Sequence, residues 1–315
     1  MARPRSRREE APGPSGFLVV DKPTGWTSHD VVDAARGWLG TRRVGHLGTL
    51  DPLATGVLPL AVRDATKLVS FVADDRKAYT GIFRLGVETD TLDADGRELR
   101  RYGGELPDAD ALRAALAKLE GTVEQVPPMF SAVKRGGVPL HRLARQGREV
   151  ERAPRPVRID RLELLAWAAP DAEVRVECSA GTYVRSIAAD LGAALGCGAH
   201  LLRLRRTRSG PFDETQALGV EPLEEAARRG EAAAHLLPAA PWLALPVGRL
   251  GPEALRRVEH GGDLAERELI PAPGGPALRP GARVAALDLA GEVVAVLELR
   301  ADRRLHPLRV LKAAG

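Results

Sequence analysis

The chain reads as an α+β protein that turns all-β toward its C-terminus, and three observations lead there. Strand-like runs rich in β formers and bounded by Gly and Pro recur at 16–20, 58–62, 77–85, 158–167 and 172–178. Stretches with apolar residues at helical spacing stand between them at 28–39, 107–119 and 182–195. From about Leu243 onward, Pro and Gly punctuate short apolar runs such as 283–289 and 292–299, the pattern of a small all-β unit.

Length and composition set the outer limits. With 315 residues, of which 44% are hydrophobic, the chain can bury a large core and a smaller one. No run reaches the length of a membrane span. Residues 1–15 carry Arg3, Arg5, Arg7 and Arg8 without the apolar stretch of a signal peptide, and read as a disordered basic tail. The two cysteines, Cys178 and Cys197, have no zinc-like spacing, so a reduced cytosolic protein without structural metal is expected.

In order along the chain, the strand at 16–20 ends in the turn signal Asp21-Lys22-Pro23-Thr24-Gly25. Ser28 is the expected cap of a helix carrying Val31, Val32, Ala35 and Leu39, and Asp64 that of a helix carrying Leu68, Val69 and Val72. Tyr79 lies in the strand at 77–85, where a core tyrosine with its hydroxyl at the rim is the ordinary outcome. Thr89 to Gly96 is acidic and turn-like but lacks the closing glutamate of a Ca²⁺ loop. Gly136-Gly137 marks a turn and 140–146 a short helix, an excursion from the core, before the paired strands at 158–167 and 172–178. In the helix at 182–195, Tyr183, Ile187, Leu191 and Leu195 share one face, and Arg185 sits off it in the first turn. A cation there opposes the helix dipole by roughly 0.3 to 1 kcal/mol, which points to a partner for Arg185 elsewhere.

The most informative stretch is Gly45-His46-Leu47-Gly48-Thr49-Leu50-Asp51-Pro52-Leu53-Ala54-Thr55-Gly56. The chain is 28% charged, yet Asp51 is the only formal charge from Gly45 to Leu60. Pro52 biases Asp51 toward extended backbone, and Gly48 and Gly56 permit close approach or unusual φ on either side. A carboxylate among apolar walls needs a cation, or its proton stays on. On composition alone, an Asp-Pro turn and a functional site fit this stretch equally.

Charge is unevenly spread. The net +4 and pI of about 9.3 do not by themselves mark a nucleic-acid binder. Residues 126–156, however, hold Lys134, Arg135, Arg142, Arg145, Arg148, Arg152 and Arg155 against Glu149 and Glu151, and Arg203, Arg205, Arg206 and Arg208 stand with no acid from 199 to 211. Such clusters are the expected footprint of a phosphate backbone, or else a solvated face.

Together these segments resemble the TruB-type tRNA pseudouridine synthases. The family's run Gly-His-x-Gly-x-Leu-Asp-Pro-x-Ala-x-Gly is matched throughout by 45–56, and Lys77-Ala78-Tyr79, 86–96, 178–185 and Leu204-Arg205-Arg206 are similar to its other motifs, in order. The similarity covers about 16–211 and, more loosely, the tail. It implies a catalytic domain over 16–245 with a large, mostly antiparallel mixed sheet flanked by helices, an inserted thumb near 126–156, and a small all-β PUA-like RNA-binding domain over 246–315. Gly261-Gly262 and 305–310 are the PUA-like features of that last part. Phe130 and His141 stand where the family commonly has tyrosine, and both keep a flat ring.

The resemblance also implies a reaction: isomerisation of a uridine, uridine 55 of the tRNA T loop, with the base leaving C1′, rotating and rejoining through C5. A stacked base cannot do this, so the nucleotide is flipped out. Asp51 then attacks the nucleotide or abstracts a sugar proton, Arg185 is its counterion, and Tyr79 stacks on the base and is placed for the late proton transfer from C5. His46 fills space left by flipped nucleotides, Lys22 supports the site or a nearby phosphate, and Leu204 packs against Tyr79. Leu50, Leu53 and Leu204 supply apolar walls, and Arg142, Arg145 and Arg148 of the thumb take phosphates. The expected partner is the T-arm stem-loop of tRNA, with no metal or organic cofactor, no membrane, no obligatory protein partner, and a cytoplasmic monomer as the working form. The same core acting on another RNA uridine, or serving as a noncatalytic RNA chaperone, are the rival readings. Intact Asp51, Tyr79 and Arg185 argue for catalysis, and the lack of a carboxylate cluster around Asp51 argues against a metal-dependent nuclease.

Overall fold

A computed structural model describes residues 13–131, 133–135, 137–140 and 150–311. Arg142, Arg145, Arg148 and His141, the expected helix beyond Leu140, and residues 1–12 of the basic tail lie outside the described residues. None of the described helices is long and apolar enough to cross a membrane.

The strands, in chain order, are β1 (Gly16–Lys22), β2 (Val44–His46), β3 (Thr55–Val62), β4 (Lys77–Leu85), β5 (Val87–Thr89), β6 (Glu98–Arg101), β7 (Gly121–Gln125), β8 (Lys134–Arg135), β9 (Val138–Pro139), β10 (Arg155–Ala168), β11 (Asp171–Cys178), β12 (Ala199–Ser209) and β13 (Phe212–Asp213). A nine-stranded sheet runs β1-β3-β12-β4-β11-β10-β7, with β2 on β3 and β13 on β12. All its pairs are antiparallel except β12 with β3. This is the mixed, mostly antiparallel sheet expected. The paired strands at 158–167 and 172–178 are β10 and β11; β10 extends beyond the reading at both ends and β11 gains only Asp171.

β1 and β3 are apolar at nearly every position because both their faces are covered. Leu18, Val20, Leu58 and Leu60 point into the main core with the helices Ser28–Trp38 and Val184–Ala194. Phe17, Val19, Val57 and Ala61 point the other way and pack with Ala285, Leu287, Val293 and Val296. Those last residues belong to a second, six-stranded sheet spanning β14 (Val247–Leu250), β15 (Leu264–Ala265), β16 (Leu269–Pro271), β17 (Arg283–Leu287), β18 (Val293–Leu299) and β19 (Arg304–Val310). One helix, Pro252–Glu259, is added to this region, with Pro at its start and Ala254 and Val258 buried.

Two caps differ from expectation. Thr27, rather than Ser28, caps the first helix, in a reciprocal box with Asp30. Ser28 is buried and its hydroxyl is committed to the backbone of Leu50, accepting from its N–H at 2.8 Å and donating to its carbonyl at 3.0 Å. Asp64 caps no α-helix; the segment forms two 3₁₀ turns, Arg63–Lys67 and Val69–Phe71. Arg63 has φ +53°, which breaks the helical path, and the Asp64 carboxylate is held by Arg43 at 2.6 Å and Lys67 at 3.3 Å. The helix expected at 107–119 is Ala109–Lys118, capped by Asp108.

Gly56 shows how closely β3 and β12 approach. Its φ is +99°, and a Cβ there would overlap the Arg206 carbonyl. Gly56→Ala therefore combines left-handed strain with a backbone collision and should cost about 2 kcal/mol or more. A urea unfolding midpoint equal to the parent's would show that the two strands can move apart freely.

Candidate active site

The Asp51 loop is an irregular segment whose backbone carbonyls turn inward, so each needs a buried donor. Lys22 and Arg206 supply most of them. The Lys22 ammonium donates to the carbonyls of Trp26 at 2.6 Å, Pro23 at 2.9 Å and Pro52 at 3.3 Å. The Arg206 guanidinium donates to Val57 at 2.7 Å, Gly48 at 3.1 Å and Thr49 at 3.3 Å. Ser28 fixes Leu50 from the helix side, and the Gly25 N–H donates to the Pro52 carbonyl at 2.8 Å. Gly48 sits at φ +123° and Gly56 at +99°, the unusual backbone that the two glycines were expected to permit.

So fixed, the loop presents the Asp51 carboxylate, about one-third exposed, to a cleft of about 310 Å³. Arg185 forms an ion pair with it, Nε to Oδ2 at 2.9 Å. The Arg185 side chain is 3% exposed, and its other nitrogens are occupied: Nη1 donates to the Thr91 carbonyl at 3.1 Å and faces Asp93 Oδ2 at 3.3 Å, while Nη2 donates to the Phe130 carbonyl at 2.8 Å. These partners answer the dipole argument, since a guanidinium in the first turn of Val184–Ala194 is held by two carboxylates and two carbonyls. The helix start is itself pinned by Gln125, which accepts from the Tyr183 N–H at 2.7 Å and donates to the Tyr183 carbonyl at 3.1 Å.

Burial sets the protonation of the surrounding groups. Desolvation pushes the Asp93 carboxyl up, against the pull of its Thr91 hydrogen bond and of Arg185. The Tyr79 hydroxyl is pushed up to about 12 by desolvation, the Arg206 charge acting against it. Lys22 is brought down to about 8 by burial, partly offset by Asp51, and Lys77 to about 8 by burial and then by Arg206. The His46 ring is held below its ordinary value by burial and by Arg206.

Of the residues singled out in the sequence, Leu50, Asp51, Tyr79, Arg185 and Leu204 line one cleft, together with Lys77, Tyr183 and Arg206. Leu53 does not; it packs half-buried against the core. His46 ends β2 outside the cleft lining, with Nδ1 buried and unpartnered. Lys22 is fully buried under the loop with its ammonium on three backbone carbonyls, which favours the support role over the phosphate one. The arginine cluster at 203–208 is largely structural: Arg205 pairs with Asp21 at 2.9 Å and Glu214 at 2.6 Å, Arg208 with Asp74 at 3.2 Å, and Arg206 is buried. Asp21 and Asp74 are remote in sequence and Glu214 lies just past the window, so 199 to 211 looked bare. Asp93, Gln125, Lys77 and Arg206 were not identified as site residues; Asp93 lay in the acidic turn that was rejected as a Ca²⁺ loop. Among the described residues, no group of three or more His, Cys, Asp or Glu could hold a metal ion.

The model of the TruB family pseudouridylate synthase N-terminal domain matches residues 36–184, and that of the tRNA pseudouridylate synthase B C-terminal domain matches residues 185–242. A tRNA pseudouridine synthase B from Aromatoleum aromaticum is 52% identical over 209 residues, covering 66% of this chain and 68% of that protein. The chain belongs to the TruB family. Another relative, tRNA pseudouridine synthase B of Saccharophagus degradans, is 49% identical over 233 residues, 71% of this chain and 74% of its own. Among solved structures, a Cbf5-Nop10-Gar1 complex matches with 29% identity and a TM-score of 0.68 over 95% of this chain and 85% of that one. An H/ACA RNP bound to a substrate RNA containing 2′-deoxyuridine matches at 25% identity and a TM-score of 0.69, over 98% and 92%. As a TruB-family member the protein is an isomerase, a tRNA pseudouridine synthase that converts uridine to pseudouridine in tRNA.

Lys22→Met tests the reassignment of that lysine. It removes the donor to the Pro23 and Trp26 carbonyls, while Pro52 keeps the Gly25 N–H, and should cost about 2 kcal/mol of stability. The slope of log tRNA affinity against log salt should stay at the parent value, because no phosphate contact is lost. A shallower slope would return Lys22 to the RNA interface.

Proposed function

We propose that this TruB-family enzyme acts on uridine 55 of the tRNA T loop, and that Asp51 is the group that starts the rearrangement. The observation that supports this reading best is the Asp51–Arg185 pair: a carboxylate open to a cleft on one side and ion-paired to a buried guanidinium at 2.9 Å on the other. Attack on the nucleotide and abstraction of a sugar proton both use this anion. Arg185 pairs with this anion and fixes its direction.

The cleft volume falls within the range that encloses a small ligand. Tyr79 forms one wall and stacks on the flipped base, and Leu50 and Leu204 keep water from competing for the intermediate. Asp93 acts through Arg185 as a positioning residue, since it shares the guanidinium from the side away from the cleft opening at Asp51. Arg142, Arg145 and Arg148 of the thumb contact the T-arm phosphates in this reading, and the C-terminal sheet serves as a PUA-like RNA-binding domain. The enzyme works as a cytoplasmic monomer with tRNA as its partner, without metal or organic cofactor.

Incubation with unmodified tRNA followed by position-resolved pseudouridine mapping should give one product position, in the T loop. Conversion elsewhere, with the T loop untouched, contradicts the assignment. Asp51→Asn, nearly isosteric, should bind tRNA and unfold cooperatively while single-turnover conversion drops by at least about a thousandfold. A folded Asn variant converting at the parent rate reduces Asp51 to a turn residue.

A further inference from the structure

Lys77 lines the cleft yet has no part in the chemistry above. It opens β4, the strand between β11 and β12, and its register partners are Cys178 on one side and Ser209 on the other. Tyr79 is two residues along the same strand, so both side chains leave the same face, roughly 7 Å apart. The Lys77 ammonium donates to the Ser209 hydroxyl at 3.1 Å, and no carboxylate among the described residues forms an ion pair with it. Lys22 shows what a supporting lysine looks like here, bound to three carbonyls. Lys77 is instead tethered by one hydroxyl, which can either accept from or donate to an amine and so suits both protonation states.

The reaction leaves a task for such a group. Once C1′ has bonded to C5, that carbon carries both the sugar and its original hydrogen. A base must take this proton; the C–H electron pair forms the C5–C6 double bond as the C6–N1 double bond opens, and the pair so placed on N1 takes up a proton. One group that accepts at C5 and donates at N1 balances the step with no other reagent. The guanidiniums of Arg185 and Arg206 offer no lone pair, and Asp51 is engaged at the sugar. The Tyr79 phenol, pushed up to about 12, keeps its proton. Burial, and then Arg206, brings Lys77 to about 8, with Asp74 and Asp75 from the preceding turn and Cys178 from β11 acting in the opposite sense.

We propose that the Lys77 amine removes the proton from C5 and returns it to N1, while Tyr79 holds the base by stacking. This rests on the Asp51 reading, and the experiment separates the two. The full-length enzyme is assayed in single turnover on tRNA carrying either uridine or 5-fluorouridine at the target. Fluorine replaces the C5 hydrogen, so glycosidic rearrangement can proceed on the second substrate but the final deprotonation cannot.

Lys77→Met should lose about 10²- to 10⁴-fold on uridine, show a deuterium isotope effect with C5-deuterated uridine, and rearrange 5-fluorouridine at the parent rate. Lys77→Arg, which keeps the charge without the lone pair, should lose as much. The working form is the neutral amine, so the parent rate should rise with pH through about 8 and then level, and both variants should lose that inflection. Parent activity in Lys77→Arg overturns the proposal, because the cation alone then suffices. Equal loss on both substrates in Lys77→Met, or an affinity loss with a shallower salt slope and an unchanged rate, overturns it as well. Asp51→Asn is the control for the underlying reading and should fail on both substrates; if it rearranges 5-fluorouridine normally, that reading falls whatever Lys77 does.

Discussion

The site depends on one buried guanidinium. Arg185 lies between Asp51 and Asp93, and the two carbonyls at Thr91 and Phe130 satisfy its remaining directions. Removing a charge of this kind from water carries a penalty of several kcal/mol, offset only when its partners are well placed. The placement draws on four separate pieces of chain: the Asp51 loop, the acidic turn at 89–96, the segment at Phe130, and the helix that carries Arg185. Any movement of the helix start would break all four contacts together, which gives the Gln125 clamp on Tyr183 its importance.

A second use of buried cations runs through the same region. Lys22 donates to the Pro52 carbonyl of the Asp51 loop and Arg206 to those of Gly48 and Thr49. A loop that must be rigid and apolar on its open face cannot satisfy its backbone with water, and long cationic side chains reaching up from the sheet replace that water. The sheet makes this possible because β1, β3 and β12 lie side by side beneath the loop. The opposite faces of β1 and β3 rest on a second core shared with the C-terminal sheet. The Asp51 carboxylate thus stands on a platform packed from both sides.

What could be read in the sequence followed from local contrast. Asp51 stood out as the lone charge in a small and apolar run, and Arg185 as a cation in a helix turn that disfavours one. The strand at 77–85 showed through its richness in β formers, and the family motifs fixed the order of the rest. What could not be read depended on distant partners. The arginine cluster at 203–208 was read as a phosphate footprint or a solvated face because Asp21, the partner of Arg205, lies 184 residues away and the acceptors of Arg206 are carbonyls, which carry no sequence signature. Asp93 was hidden among other acids of a turn. Ser28 was taken for a cap because Ser often is one; its neighbour Thr27 fits the capping geometry, and the Ser28 hydroxyl is drawn to Leu50.

The central claim is geometric: an Arg185-held Asp51 carboxylate meets the sugar of a flipped nucleotide. It is tested most directly by a crystal structure of the enzyme with a T-arm hairpin carrying 5-fluorouridine at the target position. The account predicts a nucleotide turned out of the stack, its C1′ or its adjacent sugar carbon within about 3 to 3.5 Å of an Asp51 oxygen, and the Asp51–Arg185 pair intact. A flipped nucleotide whose sugar lies out of reach of Asp51, or an Arg185 released to bind phosphate, would contradict it.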